Sequence, residues 1–120
     1  MLSYKFLLSF ALAGALLAVD AVADAKKKVA EKKYDEAIAQ LEAEQKAKPR
    51  AAVTKALAEA NLAKADSFMY NDSLPPRAKY PVALRAYREV LKYDKGNKKA
   101  QQGIATIEGI YKSMGRPVPQ

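Results

Sequence analysis

The stretch KYDEAIAQL at residues 33–41 returns as KYPVALRAY at residues 79–87, 46 residues further along the chain. Both copies have a tyrosine in second place, an alanine three residues later, and apolar side chains one and four residues after that alanine. This i, i+3, i+4, i+7 spacing gives a helix one apolar face. The sequence therefore predicts two equivalent helices, each making a close contact with a neighbouring helix at Ala37 or Ala83.

Helix-forming residues dominate the regions around these two copies, and no stretch alternates in the way that a half-buried strand would. Pro49 predicts that the first helix ends near Ala47, because the residue before a proline avoids helical backbone. A long helix is predicted over residues 51–70, followed by a proline-containing loop over residues 71–78. The next helix is predicted to open at Tyr80.

The C-terminal third carries further end signals. Gly96 is predicted to end the preceding helix in a left-handed conformation, and Asn97 to cap the next one. That last helix is predicted over residues 98–114, with Gly115 at its stop. Together with a short basic helical segment at residues 26–33, these elements predict an all-α fold.

The predicted helix over residues 51–70 is apolar on two sides. The first face consists of Val53, Ala56, Leu57, Ala60, Ala63 and Phe68, and the second of Ala58, Leu62, Ala65 and Met69. A helix with two apolar faces packs on two sides. We expect one neighbouring helix to cover the first face and the second face to remain uncovered as an interaction surface.

The sequence Lys33-Tyr34-Asp35-Glu36-Ala37-Ile38 resembles the second helix of the tetratricopeptide repeat, a helix–turn–helix unit of 34 residues. Residues 80–87 are close to the same pattern, and residues 80–117 are similar to the end of small secreted bacterial proteins of this family. The resemblance covers about residues 26–114. It implies a helix–turn–helix solenoid fragment whose final helix acts as a C-terminal cap.

The same resemblance implies a binding surface. In tetratricopeptide arrays the first helix of each repeat lines a concave groove, and the helix over residues 51–70 corresponds to such a helix. The candidate partner-binding residues are then Lys55, Glu59, Asn61, Leu62 and Asp66. The expected partner is a protein or peptide, which is either another protein or a second copy of this chain.

The N-terminal segment predicts export. Lys5 precedes an uncharged run over residues 6–19, and small residues follow at the A-x-A positions that end at Ala23 and Ala25. This is the pattern of a cleaved secretory signal, and the run is too short for a membrane span. We therefore divide the chain into a signal peptide at residues 1–25, a helical domain at residues 26–114 and an extended tail at residues 115–120. The expected location is periplasmic or secreted.

Composition argues against catalysis. The chain contains no His, Cys or Trp, so the usual proton shuttle and thiol nucleophile are missing. The sequence also lacks a glycine-rich phosphate loop and a calcium-binding loop. We expect no enzymatic activity, no metal and no cofactor.

The net charge of +8 allows a second interpretation. A basic chain can bind nucleic acid or an anionic surface, but its lysines form separate short clusters, and the tyrosines fall on predicted core faces. We expect no nucleic-acid partner. The leading prediction is an exported, non-catalytic protein-interaction module, and the alternative is a basic module associated with the envelope through anionic lipid or cell-wall polymer.

Overall fold

A computed structural model of the protein describes residues 21–120, and within that range the fold is all-α, as predicted. The first helix, α1, covers residues 21–30. It is followed by α2 (Tyr34–Ala47), α3 (Ala51–Met69), α4 (Pro76–Tyr93) and α5 (Lys98–Ser113). Helix α3 packs against both α2 and α4, and α4 packs against α5, so the helices form a stacked, repeat-like array. The uncharged run over residues 6–19 lies outside the described residues.

Helix α3 lies between two hydrophobic clusters, which confirms that it packs on two sides. Its Val53, Ala56, Leu57 and Ala60 join α1 and α2 in one cluster, and Ala58 and Ala65 join α4 and α5 in the other. The expectation that the second face stays uncovered is wrong. Ala58 and Ala65 are buried, and Leu62 and Met69 pack against the α4–α5 cluster. Phe68, expected on the first face, also packs there.

The two copies of the repeated pattern occupy equivalent environments. Three pairs of positions separated by 46 residues are buried on α2 and α4, namely Ala37 with Ala83, Ile38 with Leu84, and Leu41 with Tyr87. Tyr34 and Tyr80 are both half-buried. The predicted close contacts at Ala37 and Ala83 are confirmed, since neither alanine has exposed surface.

Helix α1 covers the outer side of the α2–α3 pair. Its Ala25 has no exposed surface, and Val22 and Val29 pack against the same cluster. Lys28 Nζ donates to Gln40 Oε1 over 2.9 Å and so links α1 to α2. Of the basic helical segment predicted at residues 26–33, only residues 26–30 are helical, and the same helix also includes residues 21–25.

Helix α4 begins four residues earlier than predicted, at Pro76 instead of Tyr80. The Pro75 carbonyl accepts the backbone N–H groups of Ala78 and Lys79, at 2.9 and 3.1 Å, and this closes the first helical turn. Pro76 fits this turn because a first-turn N–H has no partner within the helix. Pro81 consequently lies inside the helix, and not in its first turn.

Two of the three predicted end signals around α5 are confirmed. The Asn97 side chain caps α5, since its Oδ1 accepts the Ala100 N–H over 3.0 Å. Gly115 has φ of +66° and follows the helix end. Gly96 does not adopt the left-handed conformation, because α4 already ends at Tyr93 and is capped by Asp94, whose N–H donates to the Val90 carbonyl.

The C-terminal tail has no helical structure beyond Gly115 and folds back onto α4. Arg88 Nη1 donates to the carbonyl oxygens of Pro119 and Gln120, at 3.0 and 3.2 Å. Val118 packs against the α4–α5 cluster. The extended tail therefore adds to the cover over this end of the array.

A strained residue in the α1–α2 turn gives a stability prediction. Lys32 has φ of +64°, a conformation that side chains with a Cβ disfavour. Lys32→Gly should raise the free energy of unfolding by about 0.5–1 kcal/mol, because glycine adopts this conformation without steric cost. The matched change Lys27→Gly, at an exposed position inside α1, should lower it by about 1 kcal/mol. Urea unfolding of both variants checks the pair, and a destabilised Lys32→Gly would contradict the turn geometry.

Candidate functional site

The groove of interest runs along the polar edge of α3. Helix α3 contributes most of its lining, and the end of α4 and the turn before α5 contribute the rest. It encloses about 460 Å³ and is lined by Ala51, Thr54, Lys55, Ala58, Glu59, Leu62, Tyr93, Asp94 and Asn97. The small side chains of Ala51 and Ala58 leave this space open on the helix surface. A mostly apolar floor with charged groups at its edge is a common composition for a recognition site.

A second concavity of about 420 Å³ continues along the same helix. It is lined by Asp66, Met69, Tyr70, Tyr87, Lys99, Gln102, Gly103 and Thr106. The first groove joins the earlier part of α3 to Asn97, just before α5, and the second joins the later part of α3 to α5 itself. We call the side of the array that carries both of these concavities its concave side.

The structure brings four of the five candidate residues to this concave side. Lys55, Glu59 and Leu62 line the first groove, and Asp66 lines the second concavity. Lys55 and Glu59 are exposed, whereas Leu62 and Asp66 are half-buried. The i, i+4, i+7, i+11 spacing of these four explains why they share one stripe.

The placement of Asn61 in the groove is wrong. Asn61 is 4% exposed, and its Nδ2 donates to the Leu57 carbonyl over 2.9 Å. This hydrogen bond to the preceding helical turn gives the buried side-chain amide a partner inside the core. An asparagine is therefore tolerated at a position that faces other helices.

Asp66 also has a structural role that the sequence did not indicate. Its Oδ1 accepts the Tyr87 hydroxyl over 2.6 Å, which joins α3 to α4. Burial, and then the bond to Asp66, raises the pKa of the Tyr87 phenol well above its ordinary value. The hydroxyl therefore remains a donor at neutral pH and fixes the Asp66 carboxylate at the groove wall.

Gly103 allows the Tyr87 ring to occupy this position. A Cβ built on Gly103 would lie within 2.4 Å of the ring atom Cε2, so α5 contacts α4 through bare backbone here. Asp66, Tyr87 and Gly103 thus connect three helices beneath the second concavity. An isolated glycine within a helical pattern is the sequence signal that could have identified this contact.

Alkaline pH tests the Asp66–Tyr87 bond. Above about pH 10 the unfolded chain releases the Tyr87 proton while the folded chain retains it, so the free energy of unfolding falls as pH rises. Below that pH the contribution of the phenol is constant. Tyr87→Phe should flatten this alkaline loss, and Tyr34→Phe, at a half-buried side chain on α2, should keep the wild-type slope. Urea titrations between about pH 8 and pH 11 measure both slopes, and equal slopes would contradict the bond.

Tyr93 and Asn97 are groove residues that the candidate set omitted. Tyr93 ends α4 and packs against both hydrophobic clusters, and burial, followed by the charges of Glu42 and Glu89, raises the pKa of its phenol. Tyr93 therefore contributes an aromatic side chain to a groove whose lining also includes the charged residues Lys55 and Glu59. Recognition sites commonly combine such apolar contacts with a few polar groups that fix orientation.

Two further findings concern the described part of the chain. Over residues 21–120, no three or more acidic, His or Cys residues are arranged to hold a metal ion. Over the same residues, no helix is both long and apolar enough to cross a membrane. Comparison of the chain with protein-family models, curated proteins and solved structures finds no match.

Proposed function

We propose that this protein is an exported, non-catalytic interaction module of tetratricopeptide type, which binds a protein or peptide segment along its concave side. The observation that carries the proposal is the groove in which Lys55, Glu59 and Leu62 face Tyr93 across about 460 Å³. A groove that combines an apolar floor with charged edges suits an amphipathic segment.

The repeat geometry supports the same proposal. Three pairs of positions separated by 46 residues are buried on both α2 and α4, and both concavities lie along α3 on one side of the array. Helix-pair arrays of this kind present extended concave surfaces to their partners. The resemblance of residues 33–38 and 80–87 to the tetratricopeptide pattern adds to this argument.

Export is the part of the proposal that rests on the sequence. The uncharged run over residues 6–19 and the A-x-A sites that follow it support a cleaved secretory signal. A periplasmic or secreted location would bring the groove into contact with other exported proteins or with a second copy of this chain.

Site-specific photo-cross-linking tests the groove. A photoreactive amino acid replaces Lys55 inside the groove or, as a control, the exposed Ala43 on α2. After irradiation of cells that produce and export the protein, the Lys55 position should form a discrete adduct, and the Ala43 position should not. An adduct of twice the monomer mass would identify a second copy as the partner. Equal labelling from both positions, or none from Lys55, would contradict the proposed groove.

The alternative proposal, an anionic surface as the partner, is favoured by the exposed Lys26 and Lys27 on α1. The nearby Lys28 and Lys33 already form ion pairs within the protein, with Asp24 at 3.2 Å and with Glu31 at 3.3 Å. We therefore expect binding to vesicles that contain phosphatidylglycerol at low salt only, with loss near about 0.15 M ionic strength, where the screening length is about 8 Å. Vesicle co-sedimentation measures it, and binding that persists at that salt would favour the alternative.

A further inference from the structure

The overlapping A-x-A sites leave the start of the exported chain open on sequence grounds. Signal cleavage requires small side chains at the first and third positions before the cut. Ala21 and Ala23 meet this requirement for a cut before Asp24, and Ala23 and Ala25 meet it for a cut before Lys26. All of these alanines lie in α1, so the structure can distinguish the two products.

The two sites differ in burial. Ala23 and Asp24 are exposed, whereas Ala25 has no exposed surface and belongs to the hydrophobic cluster that α1 forms with α2 and α3. Both cuts remove the half-buried Val22, but only a chain that starts at Lys26 also lacks Ala25, and the loss of this fully buried side chain would leave a gap in the cluster that contains Ala37 and Leu41. A chain that starts at Asp24 keeps that contact.

The two products also differ in charge at the start of the helix. The Asp24 carboxylate pairs with Lys28 Nζ at 3.2 Å, and the pKa of Asp24 is lowered by its bonds to Lys28 and then Gln40. A helix N-terminus favours negative charge and disfavours positive charge. A chain that starts at Lys26 would place its terminal amine and three consecutive lysines there with no acidic residue before them, whereas one that starts at Asp24 supplies a carboxylate.

We infer that export ends with one cut between Ala23 and Asp24, so that the mature domain starts at Asp24 and the site after Ala25 is not used. The reaction is hydrolysis of that peptide bond: water is added, a carboxylate forms on Ala23 and a free amine forms on Asp24. This inference rests on the proposed export of the chain.

Intact mass of the full-length chain, expressed and exported in bacteria, tests the inference. We expect one exported species that starts at Asp24. A species lighter by one Asp and one Ala residue, which starts at Lys26, would overturn the inference and leave the proposed export standing. A species that retains Met1 would overturn both.

Two variants test the site without depending on folding, because masses are measured on denatured protein. Ala21→Leu places a bulky side chain at the third position before the Asp24 cut only, so the species that starts at Asp24 should disappear. Ala25→Leu blocks the Lys26 cut only, so the same species should persist in undiminished yield. The inference would be overturned if Ala25→Leu removed the exported species and Ala21→Leu left it unchanged.

Discussion

Gly103→Ala should lower the free energy of unfolding by about 2–3 kcal/mol, a large effect for the addition of one methyl group. The added Cβ would lie 2.4–2.7 Å from three atoms of the Tyr87 ring. The ring cannot move aside freely, because Tyr87 is 1% exposed and its hydroxyl is bonded to Asp66. Either α5 moves away from α4 or the Asp66 bond breaks. Urea unfolding measures the loss.

Gly109 provides the matched control on the same helix. A Cβ at Gly109 meets nothing within 4 Å, so Gly109→Ala should raise the free energy of unfolding by about 1 kcal/mol through helix propensity alone. The two substitutions are chemically identical and are expected to have opposite signs. If Gly103→Ala were neutral or stabilising, the contact of α5 with the Tyr87 ring would be wrong.

Ala83→Leu should lower the free energy of unfolding by about 1–3 kcal/mol, because three added carbon atoms would overpack a fully buried contact. This alanine occupies the position in α4 that Ala37 occupies in α2, so Ala37→Leu should destabilise by a similar amount. A loss at one position only would contradict the equivalence of the two copies.

The control for this pair is Ala78→Leu, at an exposed position in the first turn of α4. Leucine and alanine have similar helix propensities, so the change should alter the free energy of unfolding by less than about 0.5 kcal/mol. Ala86 is unsuitable as a control, because it is buried in the α4–α5 cluster although it lies outside the repeated pattern. Chemical unfolding of the three variants in parallel gives the comparison.

The helical elements could be predicted because their signals are local. The apolar spacing from Tyr34 to Leu41, Pro49 as a breaker and Asn97 as a cap each act within a few residues, and α2, α3 and α5 end within a residue or two of their predicted bounds. The start of α4 was missed because two prolines resemble a loop. Pro76, however, sits where a helix requires no N–H partner.

The candidate site was only partly predictable, because its geometry depends on contacts between helices. The resemblance to the tetratricopeptide pattern implied Lys55, Glu59 and Leu62, which share one stripe of α3. Asn61 is next to Leu62 in sequence, and only the surrounding helices show that it is buried and bonded to the Leu57 carbonyl. Tyr93 was omitted because its position depends on where α4 ends relative to α3.

Exchange of the groove charges tests the interaction function most directly. The double variant Lys55→Glu, Glu59→Lys keeps the net charge and changes exposed side chains only, so the fold should be retained. The comparison exchange on α2 is Glu36→Lys, Lys46→Glu, also at exposed positions. Circular dichroism should show the same helix content in both variants and in the wild type.

The measurement is size-exclusion chromatography of the exported protein, applied as the unpurified periplasmic extract or culture medium of the cells that produce it. We predict that the wild type and the α2 variant elute in a complex larger than the single mature chain, and that the groove variant elutes as the single chain. Elution of all three proteins at the same position, whether as a complex or as single chains, would contradict partner binding along α3.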